Sequence, residues 1–119
     1  MCRILIAEDE SRIAAFIAKG LRKNGFTSTI AEDGEQALQL AETGEYALLL
    51  LDLGLPLRDG WSILKHLRQQ NVTLPVIVVT ALNSENHRKA IAAGANDFVS
   101  KPFHFGDLLA KIRTHLQLA

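Results

Sequence analysis

The sequence predicts an α/β domain in which strand and helix alternate five times, the strands forming one parallel sheet with helices on both faces. Tyr46–Ala47–Leu48–Leu49–Leu50–Leu51 is apolar or aromatic without a break and ends on Asp52. A run this short fits a strand buried on both faces, and the flanking Gly44, Gly54 and Pro56 make it too short for a buried helix. Pro75–Val76–Ile77–Val78–Val79 is β-branched and equally apolar. Between the runs, apolar residues recur at helical spacing. Strict alternation argues for parallel strands, and right-handed crossovers leave few topologies.

Taken in order, Arg3–Ala7 is a short buried strand that exits onto Glu8–Asp9–Glu10. Ser11 offers an N-cap, and Ile13, Phe16, Ile17 and Leu21 mark one face of the first helix. Gly20 inside that helix costs about 1 kcal/mol against alanine, which points to close packing against a neighbour. Asn24–Gly25 ends the helix. Phe26–Ala31 is a weaker strand. Asp33 and Gln36 have the spacing of a capping box, and Ala37, Leu38, Leu40 and Ala41 form the next apolar face. After the central strand, Asp59 caps a helix carrying Trp61, Ile63, Leu64 and Leu67 that ends near Asn71. The strand Pro75–Val79 exits onto Thr80–Ala81. Asn83 or Ser84 caps a helix with Ala90, Ile91 and Ala93, closed by Gly94. Asp97–Ser100 is the last strand, and it exits onto Lys101–Pro102. Leu108, Leu109, Ile112 and Leu116 define the last helix, with Asp107 complementing its dipole.

The chain's 119 residues suit one domain with a real core. Its 13 basic and 13 acidic residues cancel, so bulk charge suggests neither nucleic-acid nor membrane affinity. The one cysteine, Cys2, has no internal partner, which suits a reducing cytosol. No apolar run approaches the roughly 20 residues a membrane span needs. His66, His87, His104 and His115 have no metal-ligand spacing and are read as packing or surface residues.

Four strands leave on residues that can do chemistry: Glu8 and Asp9, Asp52, Thr80, and Lys101. In a parallel sheet these ends share one edge, where open α/β sheets bind ligands. Carboxylates crowded there either take up protons or hold a cation. Oxygen ligands select a hard ion, and Mg²⁺ suits one or two carboxylates plus phosphate oxygens. Lys101 and Thr80 then remain as donors to an anion. The set is suited to phosphoryl transfer onto a free carboxylate. Glu10 is read as a helix N-terminal residue.

The chain resembles the CheY-like receiver domain of two-component response regulators. The resemblance rests on Ile6–Ala7–Glu8–Asp9, Leu51–Asp52–Leu53–Gly54–Leu55–Pro56, Asp59–Gly60, Val79–Thr80–Ala81, Gly94–Ala95–Asn96–Asp97–Phe98 and Lys101–Pro102–Phe103. It implies a flavodoxin-like, doubly wound sheet of strand order 2-1-3-4-5. It implies that Asp52 accepts a phosphoryl group from a sensor histidine kinase, the chain catalysing only its own Mg²⁺-dependent phosphorylation and dephosphorylation. Asp9, Asp52 and the Gly54 carbonyl would bind Mg²⁺ directly and Glu8 through a water. Lys101 would pair with Asp52 and then with the phosphoryl group. Thr80 would swing to a phosphoryl oxygen, and Phe98 would be the rotating aromatic. Lys101–Pro102 would be cis. Phosphorylation would bias the surface made by the fourth helix, last strand and last helix.

The ending from Lys101 to Arg113 looks like the OmpR-type subfamily with a winged-helix DNA-binding domain. Residues 1–119 are then one receiver domain, cytoplasmic, standing alone or preceding a DNA-binding domain. Such receivers often form homodimers through charged pairs on the switch face. Asp97 and Lys111 match one pair, while Asp107 stands where glutamate is usual and His87 where arginine is usual, beside Arg88. Gly54 and Leu82, two residues beyond Asp52 and Thr80, cannot orient an attacking water, which implies slow autodephosphorylation. Two rivals are weaker. A haloacid dehalogenase-type phosphatase wants a second acid where Gly54 stands. A flavodoxin-like nucleotide binder wants a glycine-rich loop where Glu8–Asp9 would repel phosphate.

Overall fold

The computed structural model of the chain describes residues 2–81 and 84–116. Its elements alternate as β1 (Arg3–Ala7), α1 (Ser11–Lys23), β2 (Thr27–Ala31), α2 (Gly34–Ala41), β3 (Leu48–Leu51), α3 (Gly60–Gln69), β4 (Val76–Thr80), α4 (Ser84–Ala92), β5 (Asp97–Ser100) and α5 (Phe105–His115). The strands pair in parallel in the order β2-β1-β3-β4-β5, as the resemblance implies.

The central position of β3 explains its four leucines. Side chains alternate across a strand, and both faces of this one are covered. Leu49 and Leu51 pack with Ala37, Leu38 and Ala41 of α2 and Ile63, Leu64 and Leu67 of α3. Leu48 and Leu50 pack on the opposite face with Ala14, Ile17 and Leu21 of α1 and Leu108 and Ile112 of α5. Burying a leucine is worth about 1.5–3 kcal/mol, so this run anchors both layers.

Some boundaries depart from the sequence reading. Ser11 is the first helical residue, and Glu10 takes the N-cap position without a side-chain cap bond. Asn83 lies outside the described residues, and α4 begins at Ser84. Phe16 and Ile91, expected on apolar faces, are 53% and 45% exposed. Phe16 still packs edge-on against Phe105, with centroids 6.0 Å apart. The expected neighbour of Gly20 is Phe105, whose ring leaves no space for a β-carbon.

Both aspartate caps form. Asp33 Oδ1 accepts from the Gln36 N–H at 2.8 Å, and Asp59 Oδ1 from the Ser62 N–H at 2.8 Å. The reciprocal bond forms one residue further out, the Glu32 N–H donating to Gln36 Oε1 at 3.0 Å. Arg68, unmarked by the sequence, brackets two loops. Its guanidinium donates to the carbonyls of Gly94, Val72 and Leu74 and to the side chain of Asn96.

Candidate functional site

The parallel register determines where the strand ends meet. Ala7 pairs with Leu51 and Leu51 with Val78, so β1, β3 and β4 finish on one edge. The Asp52 N–H donates to the Ala7 carbonyl at 3.0 Å, and the Lys101 N–H to the Thr80 carbonyl at 3.1 Å. Glu8, Asp52 and Thr80 are the buried polar residues among those described. Two glycines hold the loop that follows Asp52. A β-carbon on Gly34 would strike the Arg58 carbonyl, and one on Gly60 would crowd Leu53 and the Asp52 carbonyl. The starts of α2 and α3 therefore clasp residues 53–59, which follow β3.

Lys101 binds the acids together. Its Nζ lies 2.6 Å from Glu8 Oε1, 3.3 Å from Asp52 Oδ2 and 3.5 Å from Glu10 Oε1. The Gly54 N–H donates to Asp52 Oδ1 at 3.1 Å, and the Glu10 N–H donates to Glu8 Oε2 at 3.2 Å.

These contacts separate two similar acids. Burial pushes the Glu8 carboxyl up to about 7, against Lys101 and the Glu10 N–H, and neighbouring Asp52 reinforces the rise. Burial also acts upward on Asp52, but the Gly54 N–H, protonated Glu8, Lys101 and the Thr80 hydroxyl outweigh it and hold that carboxyl below its usual range. Lys101 is desolvated as well, yet Glu8 and Asp52 raise its affinity for its proton. Asp52 is thus the ionised carboxylate of the pair, and Glu8 keeps a proton well above the ordinary carboxylate range.

Glu8, Glu10 and Asp52 place one carboxylate oxygen each within 4.8 Å of one another. Three carboxylates facing one ammonium, with oxygen as the donor type, fit a hard divalent cation. The structure leaves Asp9 exposed and outside this group. It brings in Glu10, which the sequence reading treated as a helix terminus. The remaining expected residues, Glu8, Asp52, Thr80 and Lys101, do converge. The Lys101–Pro102 bond is cis, as the resemblance implies.

Phe98 lies beyond this cluster. It is half-buried on β5, with the His87 ring stacked on it at 3.6 Å and Lys111 Nζ 5.0 Å from its centroid. Asp97 and Lys111, expected to serve between copies, pair within the chain at 3.3 Å, and His115 Nε2 sits 2.9 Å from the same carboxylate. Burial would raise Asp97, but His115, the Phe98 N–H and Lys111 hold it below its usual range. Neither histidine contact has a local sequence signal, because both partners are distant along the chain.

The model of the response regulator receiver domain matches residues 4–113. The chain belongs to that family. It is a receiver domain of two-component response regulators, and its relatives are transcriptional regulators. It is 41% identical over 116 residues to the transcriptional regulatory protein CusR of Escherichia coli K12, covering 97% of this chain and 51% of that protein. It is 44% identical over 116 residues to the transcriptional activator protein IrlR of Burkholderia pseudomallei strain 1026b, covering 97% of this chain and 50% of that one. The receiver thus spans about half the length of these curated relatives. Among solved structures, the Francisella response regulator 1452 receiver domain superposes with a TM-score of 0.94 at 36% identity, covering 98% of each chain. The receiver domain of the sensor histidine kinase PA1611 from Pseudomonas aeruginosa, solved with magnesium in its active-site cleft, gives 0.88 at 32% identity, also covering 98% of each chain. Among the described residues, no helix of the receiver is long and apolar enough to cross a membrane.

Proposed function

We propose that Asp52 is the phosphoacceptor of this receiver and takes its phosphoryl group from a phosphohistidine of a sensor histidine kinase. The observation that carries the reading is the placement of the Asp52 carboxylate at the end of β3, with Lys101 Nζ 3.3 Å from Oδ2 and the Gly54 N–H on Oδ1, a setting that holds the carboxyl below its usual range. An Asp52 carboxylate oxygen attacks phosphorus and forms the P–O bond of an acyl phosphate. The P–N bond breaks, and its electron pair returns to the kinase imidazole. Lys101 Nζ and the Thr80 hydroxyl donate to the phosphoryl oxygens, where negative charge accumulates. Asp9, Asp52 and the Gly54 carbonyl would hold Mg²⁺ directly and Glu8 through a water, and Glu10 is a further carboxylate close to Glu8 and Asp52. When bound, the cation neutralises charge on the transferring phosphoryl group. The chain's own chemistry on this reading is limited to its phosphorylation and the hydrolysis of its acyl phosphate. Gly54 is exposed and carries no group to orient a water, and Leu82, the other residue of that expectation, lies outside the described residues.

A protein donor suits the surroundings. Phe16 is half-exposed and, with Ile13, Pro102 and Phe103, lines a groove of about 470 Å³ that opens beside Lys101. In the whole protein the phosphorylated domain would act on an attached DNA-binding domain, as the relatives' names suggest, and would form a homodimer through α4, β5 and α5. A receiver that stands alone and acts through protein partners is the alternative. The test is intact mass after incubation with Mg²⁺ and acetyl phosphate. One added phosphoryl group, absent in Asp52→Ala and in EDTA, is expected. A wild-type chain that takes none overturns the assignment.

A further inference from the structure

Phe98 and Ser100 are two residues apart on β5 and share a face of the sheet. They pair in register with Val78 and Thr80 of β4. Val78 belongs to the core layer that also contains Ala90 of α4, so this row faces α4. His87, on α4, meets the row twice. Its Nε2 lies 2.8 Å from Ser100 Oγ, and its ring stacks on Phe98 with centroids 3.6 Å apart and planes at 23°.

Ser100 is also tied to the acceptor site from two directions. Its register partner is Thr80 at the end of β4, whose hydroxyl helps hold the Asp52 carboxyl below its usual range. The next residue, Lys101, donates its N–H to the Thr80 carbonyl at 3.1 Å and its ammonium to Glu8 and Asp52. Both donors that face a new phosphoryl group therefore flank the residue that holds His87.

We infer that His87 is a positioning residue that couples the Asp52–Thr80–Lys101 site to α4 through its contacts with Ser100 and Phe98. The inference rests on the reading of Asp52 as phosphoacceptor. A phosphoryl group adds roughly two negative charges and three acceptor oxygens. Thr80 and Lys101 must re-aim toward it. Packed interiors transmit such shifts, because side chains in contact cannot move independently. Ser100, held between the two donors, then loads the His87 hydrogen bond. A change in that bond is felt by the same ring that supports Phe98. Imidazole combines a flat face for the stack with a ring nitrogen for the hydroxyl. Arginine, the residue the family resemblance leads one to expect at this position, presents a different reach and charge. Coupling between sites is reciprocal in free energy. Altering His87 should therefore shift the phosphorylation equilibrium at Asp52, and the uptake rate with it to the extent that Thr80 and Lys101 are already re-aimed in the transition state.

The experiment measures the rate of phosphoryl uptake from acetyl phosphate and Mg²⁺ by intact mass, on the full chain. The variants are His87→Ala, Ser100→Ala, the double variant and His87→Phe, with Ile91→Ala as an exposed control on the same helix. Circular dichroism establishes that each is folded. His87→Ala and Ser100→Ala are expected to shift the rate in the same direction by about fivefold or more, the double variant no further than either single change. His87→Phe, which keeps a stack and loses the hydrogen bond, should follow Ser100→Ala. A purely structural anchor for α4 would lower the melting temperature and leave the rate alone. Folded His87→Ala and Ser100→Ala chains that react at the wild-type rate overturn the inference. Failure of the wild type to take a phosphoryl group would overturn the Asp52 reading separately. The coupling is then decided by the His87 Cε1–H resonance in Asp52→Asn. Movement of that signal beyond those of His66 and His104 supports the link, and an unmoved signal ends it.

Discussion

Without divalent cations, the receiver should lose stability as the pH rises from about 6 to about 8. Glu8 is 3% exposed, and its carboxyl titrates near 7 in the fold against an ordinary value of 4.5. A group whose folded-state pKa is raised contributes stability that is complete below its unfolded value and is lost as the pH climbs through the folded one. Over the full range the contribution is about 3 kcal/mol, at roughly 1.4 kcal/mol per unit. Most of it disappears below pH 6, and about 1 kcal/mol remains to be lost between pH 6 and 8. For a domain of this size that is a fall in melting temperature of about 4 °C. The other displaced groups act elsewhere. Asp52 and Asp97 are lowered and lose their contribution only in acid, while Lys101 is raised from an already alkaline value.

The assay is thermal melting in EDTA and in saturating Mg²⁺ at both pH values, on the wild type and on Glu8→Gln. Mg²⁺ should raise the melting temperature more at pH 8 than at pH 6, because at the lower pH a proton on Glu8 competes with it. Glu8→Gln should flatten the slope in EDTA. A melting temperature that is level or rises from pH 6 to 8 in EDTA would refute the assignment of the proton to Glu8. A Mg²⁺ gain independent of pH would refute the competition.

Three other perturbations test the frame around the site. Leu57 has φ +68° and is 79% exposed, so Leu57→Gly should remove left-handed strain and stabilise by about 0.5–1 kcal/mol after glycine's entropic cost, read as a higher urea midpoint. Gly34→Ala drives a β-carbon into the Arg58 carbonyl and should cost about 1–3 kcal/mol in the same titration, with slower phosphoryl uptake as the loop after Asp52 shifts. Arg68→Met strips charged donors from three carbonyls and Asn96 and should cost about 3 kcal/mol, read by thermal melting, with uptake at Asp52 retained in the folded fraction.

The layered fold was legible because its signals are local. Four leucines in a row between turn residues specify a doubly covered strand. Asp33 and Asp59 announce helix starts through bonds to amides three residues on. The site was legible for a different reason. Alternation implies parallel strands, parallel strands share an edge, and Glu8, Asp52, Thr80 and Lys101 each follow or end a strand. What stayed hidden depends on side-chain direction over long separations. Glu10 looks like a helix cap, yet its carboxylate turns toward Lys101, a residue 91 positions away. Phe16 fits the helical period of α1 but falls at the rim of its buried face, where the rings of Phe103 and Phe105 pack against it. His87 and His115 carry no motif, and their meaning comes from which β5 residues stand opposite them.

The division of labour between Glu8 and Asp52 follows from what each strand end supplies. Both leave the sheet on the same edge and both touch Lys101, so neither burial nor the ammonium alone distinguishes them. Asp52 enters a loop whose second residue, Gly54, donates its N–H back to the carboxylate, and it stands next to β4, which ends in a hydroxyl. Glu8 enters a helix start and receives one amide, from Glu10. The acid given more donors keeps its charge, and the acid given fewer holds its proton to higher pH. A nucleophile must be ionised, and the Gly54 N–H on Oδ1 and Lys101 beside Oδ2 hold the Asp52 carboxyl in that form. On the proposed reading, the turn chemistry after β3, more than the identity of the carboxylate, would make Asp52 the reactive member of the pair.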